Sequence, residues 1–152
     1  MKITSHTVLV IDQSTSMNEA DVHGHRSRSR GAYYAIANEM IATPLLSGQV
    51  SFTDVVTVIE MRTEAAINTQ IYMEPVSWTL YNKIVDLANE TDRGKGHGNY
   101  IPALNLAFKT LVETNTDDCA LLILFLSDGR PSDKNKYESR SEVQNRILSV
   151  VQ

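Results

Sequence analysis

Asp12-Gln13-Ser14-Thr15-Ser16-Met17 sets one carboxylate and two hydroxyls at alternate positions, and Ser127-Asp128-Gly129-Arg130-Pro131 supplies a second carboxylate far along the chain. A turn after a strand can aim residues i, i+2 and i+4 to one side, which would gather Asp12, Ser14 and Ser16. Oxygen-only donors of this kind suit a hard divalent cation such as magnesium. Serine lends oxygen without charge, so an ion held by two serines and few carboxylates keeps much of its positive charge. Such an ion favours an external anion in an open coordination position.

The elements that must position these groups are legible. Thr7 to Ile11 runs into Asp12, and Ala120 to Leu126 runs towards Asp128. Near-continuous aliphatic sequence suits strands covered on both faces of a parallel sheet, and ligands collect outside the carboxyl ends of such strands. Asp12, Ser14, Ser16 and Asp128 are therefore predicted to meet in one crevice. Asn18 to Arg30 reads as an extended loop. Tyr33, Ile36, Ala37, Met40 and Ile41 recur at helical spacing, and Pro44 limits how far that helix can run undisturbed. Asp54 to Glu60 and Ala66 to Tyr72, separated by a short polar break, read as an antiparallel hairpin. Ser77 is the predicted N-cap of a helix carrying Leu80, Ile84 and Leu87. Leu104, Ala107, Phe108 and Leu111 form another apolar stripe ending near Asn115, Thr116 and Asp117, and Val143, Ile147, Val150 and Val151 form the last. The expected fold class is α/β, a doubly wound, mostly parallel open sheet with one antiparallel edge hairpin and helices on both faces.

The 152 residues, 42% hydrophobic and 21% charged with a formal charge of -4, have an ordinary globular composition near the size of one domain. No basic stripe with interleaved aromatics recommends a nucleic-acid partner. No stretch approaches the roughly 20 apolar residues of a membrane helix, and the first residues do not read as a signal peptide. The single cysteine, Cys119, excludes an internal disulfide framework and fits a soluble, intracellular (cytoplasmic) protein.

With the residues in view, the chain resembles the von Willebrand factor A domain family, the integrin I-like domains. Asp12-Gln13-Ser14-Thr15-Ser16 fits the family's Asp-x-Ser-x-Ser metal-ion-dependent adhesion motif, and Leu126-Ser127-Asp128-Gly129-Arg130-Pro131 fits its second aspartate loop. Between them, Gly96-His97-Gly98-Asn99-Tyr100-Ile101-Pro102-Ala103-Leu104 is similar to its glycine-rich loop and following helix. The resemblance implies a Rossmann-like fold and a magnesium or manganese ion contacted by Ser14 and Ser16. Asp12 and Asp128 would lie close by, and a partner protein's Asp or Glu would complete the coordination, so the implied function is adhesion rather than catalysis. The chain departs from the family in two ways. Gly98 falls where the family brings a threonine to the metal, leaving Asn99 or a water to supply that oxygen. The family also adds two strands and a helix beyond the point corresponding to Gln152. One domain over 1–152, lacking those last elements, is expected, with Ala120 to Leu126 as an exposed sheet edge.

Other readings carry less of this pattern. A module of the same fold without metal is the alternative that Gly98 keeps open. A magnesium-dependent phosphatase would use Asp12 as nucleophile, with Asp128-Gly129 and Asp133 nearby, but its general acid would have to stand at Ser14. His23 and His25 lack the companions of a zinc site. Arg26, Arg28 and Arg30 read as solvated loop residues in preference to a phosphate-binding or anionic-partner patch, which would favour acidic partners if it rimmed the crevice, and Asn89-Glu90-Thr91 as a chance glycosylation triplet.

Overall fold

The computed structural model describes residues 2–90, 94–114, 118–129, 132 and 140–150. Thr91, Asn115, Thr116, Asp117, Arg130, Pro131, Asp133 and Val151, which enter the sequence readings above, lie outside the described residues.

The four strands β1 (Ser5–Asp12), β2 (Asp54–Met61), β3 (Asn68–Pro75) and β4 (Ala120–Leu126) form one sheet in the order β3-β2-β1-β4. β1 pairs in parallel with β2 on one side and with β4 on the other, Ile11 lying opposite Glu60 and Leu126 respectively. The two aspartate-bearing strands are thus neighbours with their carboxyl ends at one rim. β2 and β3 form the predicted antiparallel hairpin, with a bulge near Met73, whose φ of 46° is left-handed.

Alternation along β1 decides which helix meets which face. Leu9 and Ile11, with Val56 and Val58 of β2, pack against Tyr33, Ile36, Ala37 and Ile41 and against Leu80, Ile84 and Leu87 of α3 (Trp78–Asn89). Val8 and Val10, with Ile59 and Met61, pack against Ala103, Ala107 and Leu111 of α4 (Tyr100–Val112). Helices therefore cover both faces. Ser77 caps α3 as predicted, its hydroxyl accepting the Leu80 N–H at 3.2 Å. The last helix, α5 (Arg140–Val150), buries Val143.

Several boundaries differ from the sequence reading; β3 is Asn68–Pro75 rather than Ala66 to Tyr72, because Glu64–Ala66 forms a 3-10 turn. The loop after Asp12 holds a short 3-10 turn, Thr15–Asn18, and α1 (Arg28–Ala35) begins inside the stretch read as extended. Pro44 does not stop the helix. α1 widens into a π-helical segment, Ile36–Ala42, and α2 (Thr43–Ser47) follows, ending at left-handed Gly48. Thr43 N–H reaches the carbonyl of Asn38, five residues back. The wider turn accommodates a proline that has no N–H and whose ring would crowd a regular helix.

β4 pairs only with β1 among the described residues, and Leu121 and Leu122 are 38% and 52% exposed on it. The sheet winds from β1 to β2 over one face and reaches β4 over the other. The winding reverses between β1 and β4, and a crevice opens at that point.

Candidate metal centre

β1 ends by delivering Asp12, 3% exposed, to the rim. Its Oδ1 accepts the Ser14 N–H at 2.7 Å, an Asx-type turn that folds the chain back on itself. The Gln13 N–H donates to the Met61 carbonyl at 2.9 Å, tying this turn to the end of β2. The 3-10 turn then brings Ser14 and Ser16 to one side, their Oγ atoms 3.1 Å apart. Ser16 Oγ donates to Asp128 Oδ1 at 3.1 Å, and Ser127 Oγ donates to Asp12 Oδ2 at 2.7 Å. A cavity of about 280 Å³ is lined by Asp12, Ser14, Ser16 and Asp128, together with Thr15, His97 and Ser132.

The glycine-rich loop closes the third side. Lys95 N–H donates to the Gln13 carbonyl at 2.8 Å and Thr15 N–H to the Gly96 carbonyl at 3.1 Å. Asn18 and Gly94 bond reciprocally, Nδ2 to the carbonyl at 2.7 Å and N–H to Oδ1 at 2.9 Å. A Cβ on Gly94 would stand 2.6 Å from the Ser14 carbonyl oxygen, so only glycine fits there. A Cβ on Gly98 would lie 3.3 Å from each carboxylate oxygen of Asp12. Gly98 therefore faces the acid itself, and a side-chain hydroxyl at this position would enter the cluster.

Of the five predicted ligands, the structure gathers Asp12, Ser14, Ser16 and Asp128. Asn99 stands apart. Its N–H donates to the Arg62 carbonyl at 3.2 Å, its Nδ2 to the Ser132 carbonyl at 3.4 Å, and it does not line the cavity. The reason is geometric: Asn99 has extended backbone, and successive residues of extended chain face opposite ways. Because Gly98 faces Asp12, its neighbour faces away.

Three supporting groups escaped the sequence reading. Tyr100 opens α4 and packs edge-on against Phe125, with ring centroids 4.7 Å apart. Its hydroxyl lies 2.6 Å from Ser127 Oγ and 2.8 Å from the Gly129 carbonyl, so it grips the second aspartate loop and the hydroxyl that bonds Asp12. Buried Gln13 accepts from Ser29 Oγ at 2.9 Å and so bolts α1 to the end of β1. Arg28 is the third. Instead of being solvated, it donates Nη1–H to Asp128 Oδ2 at 2.7 Å, pairs with Glu19 at 2.8 Å, and embraces Asp21 with Nε and Nη2. The hydrogen bonds that Arg28 donates to Asp21, then to Asp128, raise the guanidinium's pKa above its ordinary value, and the bond accepted from Arg28 holds the Asp21 carboxyl below its own. Arg30 is also engaged, over the Tyr34 ring at 5.1 Å. His25 stacks on the same ring at 5.5 Å rather than joining His23 in a metal site.

Among the described residues, no group of three or more His, Cys, Asp or Glu side chains is arranged to hold a metal ion by itself. What converges is a mixed set of hydroxyls and carboxylates with free space before it. That set of oxygen donors fits a hard cation.

A sequence profile of the von Willebrand factor type A domain matches residues 7–130. Among curated proteins, none matches the chain. Solved structures share its fold at low identity. The pilus adhesin SpaC from Lactobacillus rhamnosus GG superposes with a TM-score of 0.66 at 17% identity, over 86% of this chain and 16% of its own. Manganese-loaded TRAP protein from Plasmodium vivax gives 0.64 at 16%, over 95% and 52%. Proximal thread matrix protein 1 from the mussel byssus, with a zinc-occupied MIDAS motif, gives 0.61 at 10%, over 97% and 36%. The chain thus spans about half or less of the length of each of these.

Proposed function

Because the chain belongs to the von Willebrand factor type A family, we propose that it is a protein-interaction module whose rim between β1 and β4 holds a divalent cation and offers it to an acidic side chain of a partner protein. The carrying observation is the convergence of Asp12, Ser14, Ser16 and Asp128 on one cavity, the two aspartates arriving on adjacent parallel strands. Ser14 and Ser16 would contact the ion directly, with Asp12 and Asp128 beside them. When bound, the ion would supply an electropositive point with an open ligand position. Magnesium or manganese suits the oxygen donors best, and the manganese of TRAP and the zinc of the mussel protein support a divalent ion.

The chain's own groups keep that site ready. Ser14 N–H and Ser127 Oγ hold the Asp12 carboxylate from both sides, and Ser16 holds one oxygen of Asp128. In this reading the module is not an enzyme. Ser14 occupies the place where a phosphatase of this architecture would need its proton donor, and a hydroxyl does not titrate in the useful range. The single free cysteine, Cys119, agrees with an intracellular setting.

Calorimetric titration of magnesium and manganese into the chain, and into Asp12→Ala and Ser14→Ala variants, tests the reading. Binding to the wild type that is lost in both variants is expected; equal affinity in all three removes the site. Gly98 sustains a second reading, the same module without metal, because it places no oxygen against Asp12. That reading is supported if the wild type binds neither ion.

A further inference from the structure

We propose that Arg28 is a charge-compensating and positioning residue that lowers the cation affinity of the site by sharing Asp128 with the ion. This rests on the cation-site reading above. Arg28 is the first residue of α1, whose opening turn carries no acidic residue. A cation there opposes the positive end of the helix dipole, where an anion would be favoured. The helix gains nothing from this arginine.

What surrounds the guanidinium accounts for it. The Arg28 N–H donates to the Glu19 carbonyl at 2.9 Å, and the Ser27 hydroxyl caps the turn from the Arg30 N–H at 3.1 Å, so the base of the side chain is fixed. Asp21 then takes Nε and Nη2 in a forked pair, and Glu19 adds a contact at 2.8 Å. A planar guanidinium held by its fork cannot swing freely. Its remaining nitrogen, Nη1, therefore stays directed at Asp128 Oδ2, 2.7 Å away, while Ser16 occupies Oδ1 at 3.1 Å. The side chains of Asp128 and Arg28 are 13% and 25% exposed, at a rim otherwise open to solvent.

An ion that draws on Asp128 meets a carboxylate whose charge is already partly answered. It binds less tightly than the bare pair of aspartates would hold it. By the same balance it remains less neutralised by the protein, which increases its attraction for a carboxylate from outside.

The test is calorimetric titration of manganese chloride and magnesium chloride into the full chain as wild type, Arg28→Gln and Arg28→Lys. Glutamine keeps a donor and loses the charge. Its dissociation constant for manganese is expected to fall roughly tenfold, the size Coulomb's law gives for one unit charge acting across a single carboxylate on a divalent ion in a water-like dielectric. Lysine keeps the charge and loses the fork, so it should return the affinity to near wild type. A purely structural arginine would give the opposite pattern, with both variants binding more weakly. Should Arg28→Gln fail to fold, Arg28→Ala carries the same expectation. Wild-type binding with no tightening in the uncharged variant overturns the role of Arg28 alone. Absence of binding in every chain overturns the cation site as well.

Discussion

Replacing Asp12 by asparagine separates what this residue does for the fold from what it does for the site. In the wild type the carboxylate accepts from Ser14 N–H and Ser127 Oγ, each at 2.7 Å. Asparagine can still accept the first bond through its Oδ1. Its Nδ2 then faces Ser127 Oγ, a clash of donors unless that hydroxyl turns. It has somewhere to turn: Tyr100 Oη is 2.6 Å away and itself reaches the Gly129 carbonyl. The relay reverses, running from Asn at position 12 through Ser127 and Tyr100 to Gly129, and no donor is orphaned. Exchanging two charge-assisted bonds for neutral ones costs about 2–3 kcal/mol, and removing a buried charge offsets part of it. The variant should lie within about 2 kcal/mol of wild type when chelator is present. With manganese at a hundredfold excess over its dissociation constant, the wild type gains about 2.7 kcal/mol and the variant none. Urea unfolding followed by circular dichroism, with chelator and with manganese, reads both quantities, the metal arm as a midpoint shift of about 1–2 M. A wild-type midpoint indifferent to manganese refutes the cation site, and an equal shift in the variant places the ion elsewhere. A loss above about 4 kcal/mol in chelator refutes the reversing relay.

Three further expectations concern the scaffold. Burial holds the His6 imidazole below its ordinary pKa of 6.5, neutral between Thr57 and Thr114 at 2.8 and 2.7 Å. Well above that value both states are neutral; as pH falls through it the unfolded chain takes up the proton first, so stability should decline as pH drops through and below about 6.5 in urea titrations, and less steeply in His6→Gln. Tyr33→Phe removes a 2.6 Å bond to buried Glu60 and should cost about 1–3 kcal/mol in urea unfolding while leaving manganese affinity unchanged in calorimetry. Leu122→Lys, on the exposed edge of β4, should reduce aggregation in light scattering at an unchanged melting temperature, whereas unaltered aggregation would show that this edge is not the adhesive surface.

The parts of the fold that were readable before any coordinates share one property: their signal is local. β1 announces itself because a strand covered on both faces is near-continuously aliphatic, and β4 carries the same aliphatic signal although none of its residues is fully buried. Asp12, Ser14 and Ser16 announce themselves because oxygen-bearing side chains stand at alternate positions directly after an aliphatic strand. Ser77 and its helix follow from a cap and a period. The readings that failed needed knowledge of what comes near in space. Pro44 does keep the regular helix from running on undisturbed, as read, but the sequence leaves out that the chain widens its turns to pass the proline, with Ile36, Ala37 and Ile41 packed in the core. Asn99 seemed able to replace the missing threonine because it is adjacent in sequence, but adjacency in extended chain is a reason to face the other way.

Arg28 is the more instructive failure, because a local trace of it exists. Three arginines at alternating positions in a polar stretch look solvated, and for two of them composition alone offers nothing further. Once Ser27 is recognised as an N-cap, however, Arg28 becomes the first residue of a helix, at the end where the dipole disfavours a cation. A helix start in this position with no acid in its first turn carries a small local conflict. Such conflicts persist where something outside the helix outweighs them, and here three carboxylates do, one of them the aspartate from the far strand. The sign of a charge relative to its helix end is therefore a sequence-level pointer to a tertiary partner. In this chain it points to the rim where β1 and β4 meet.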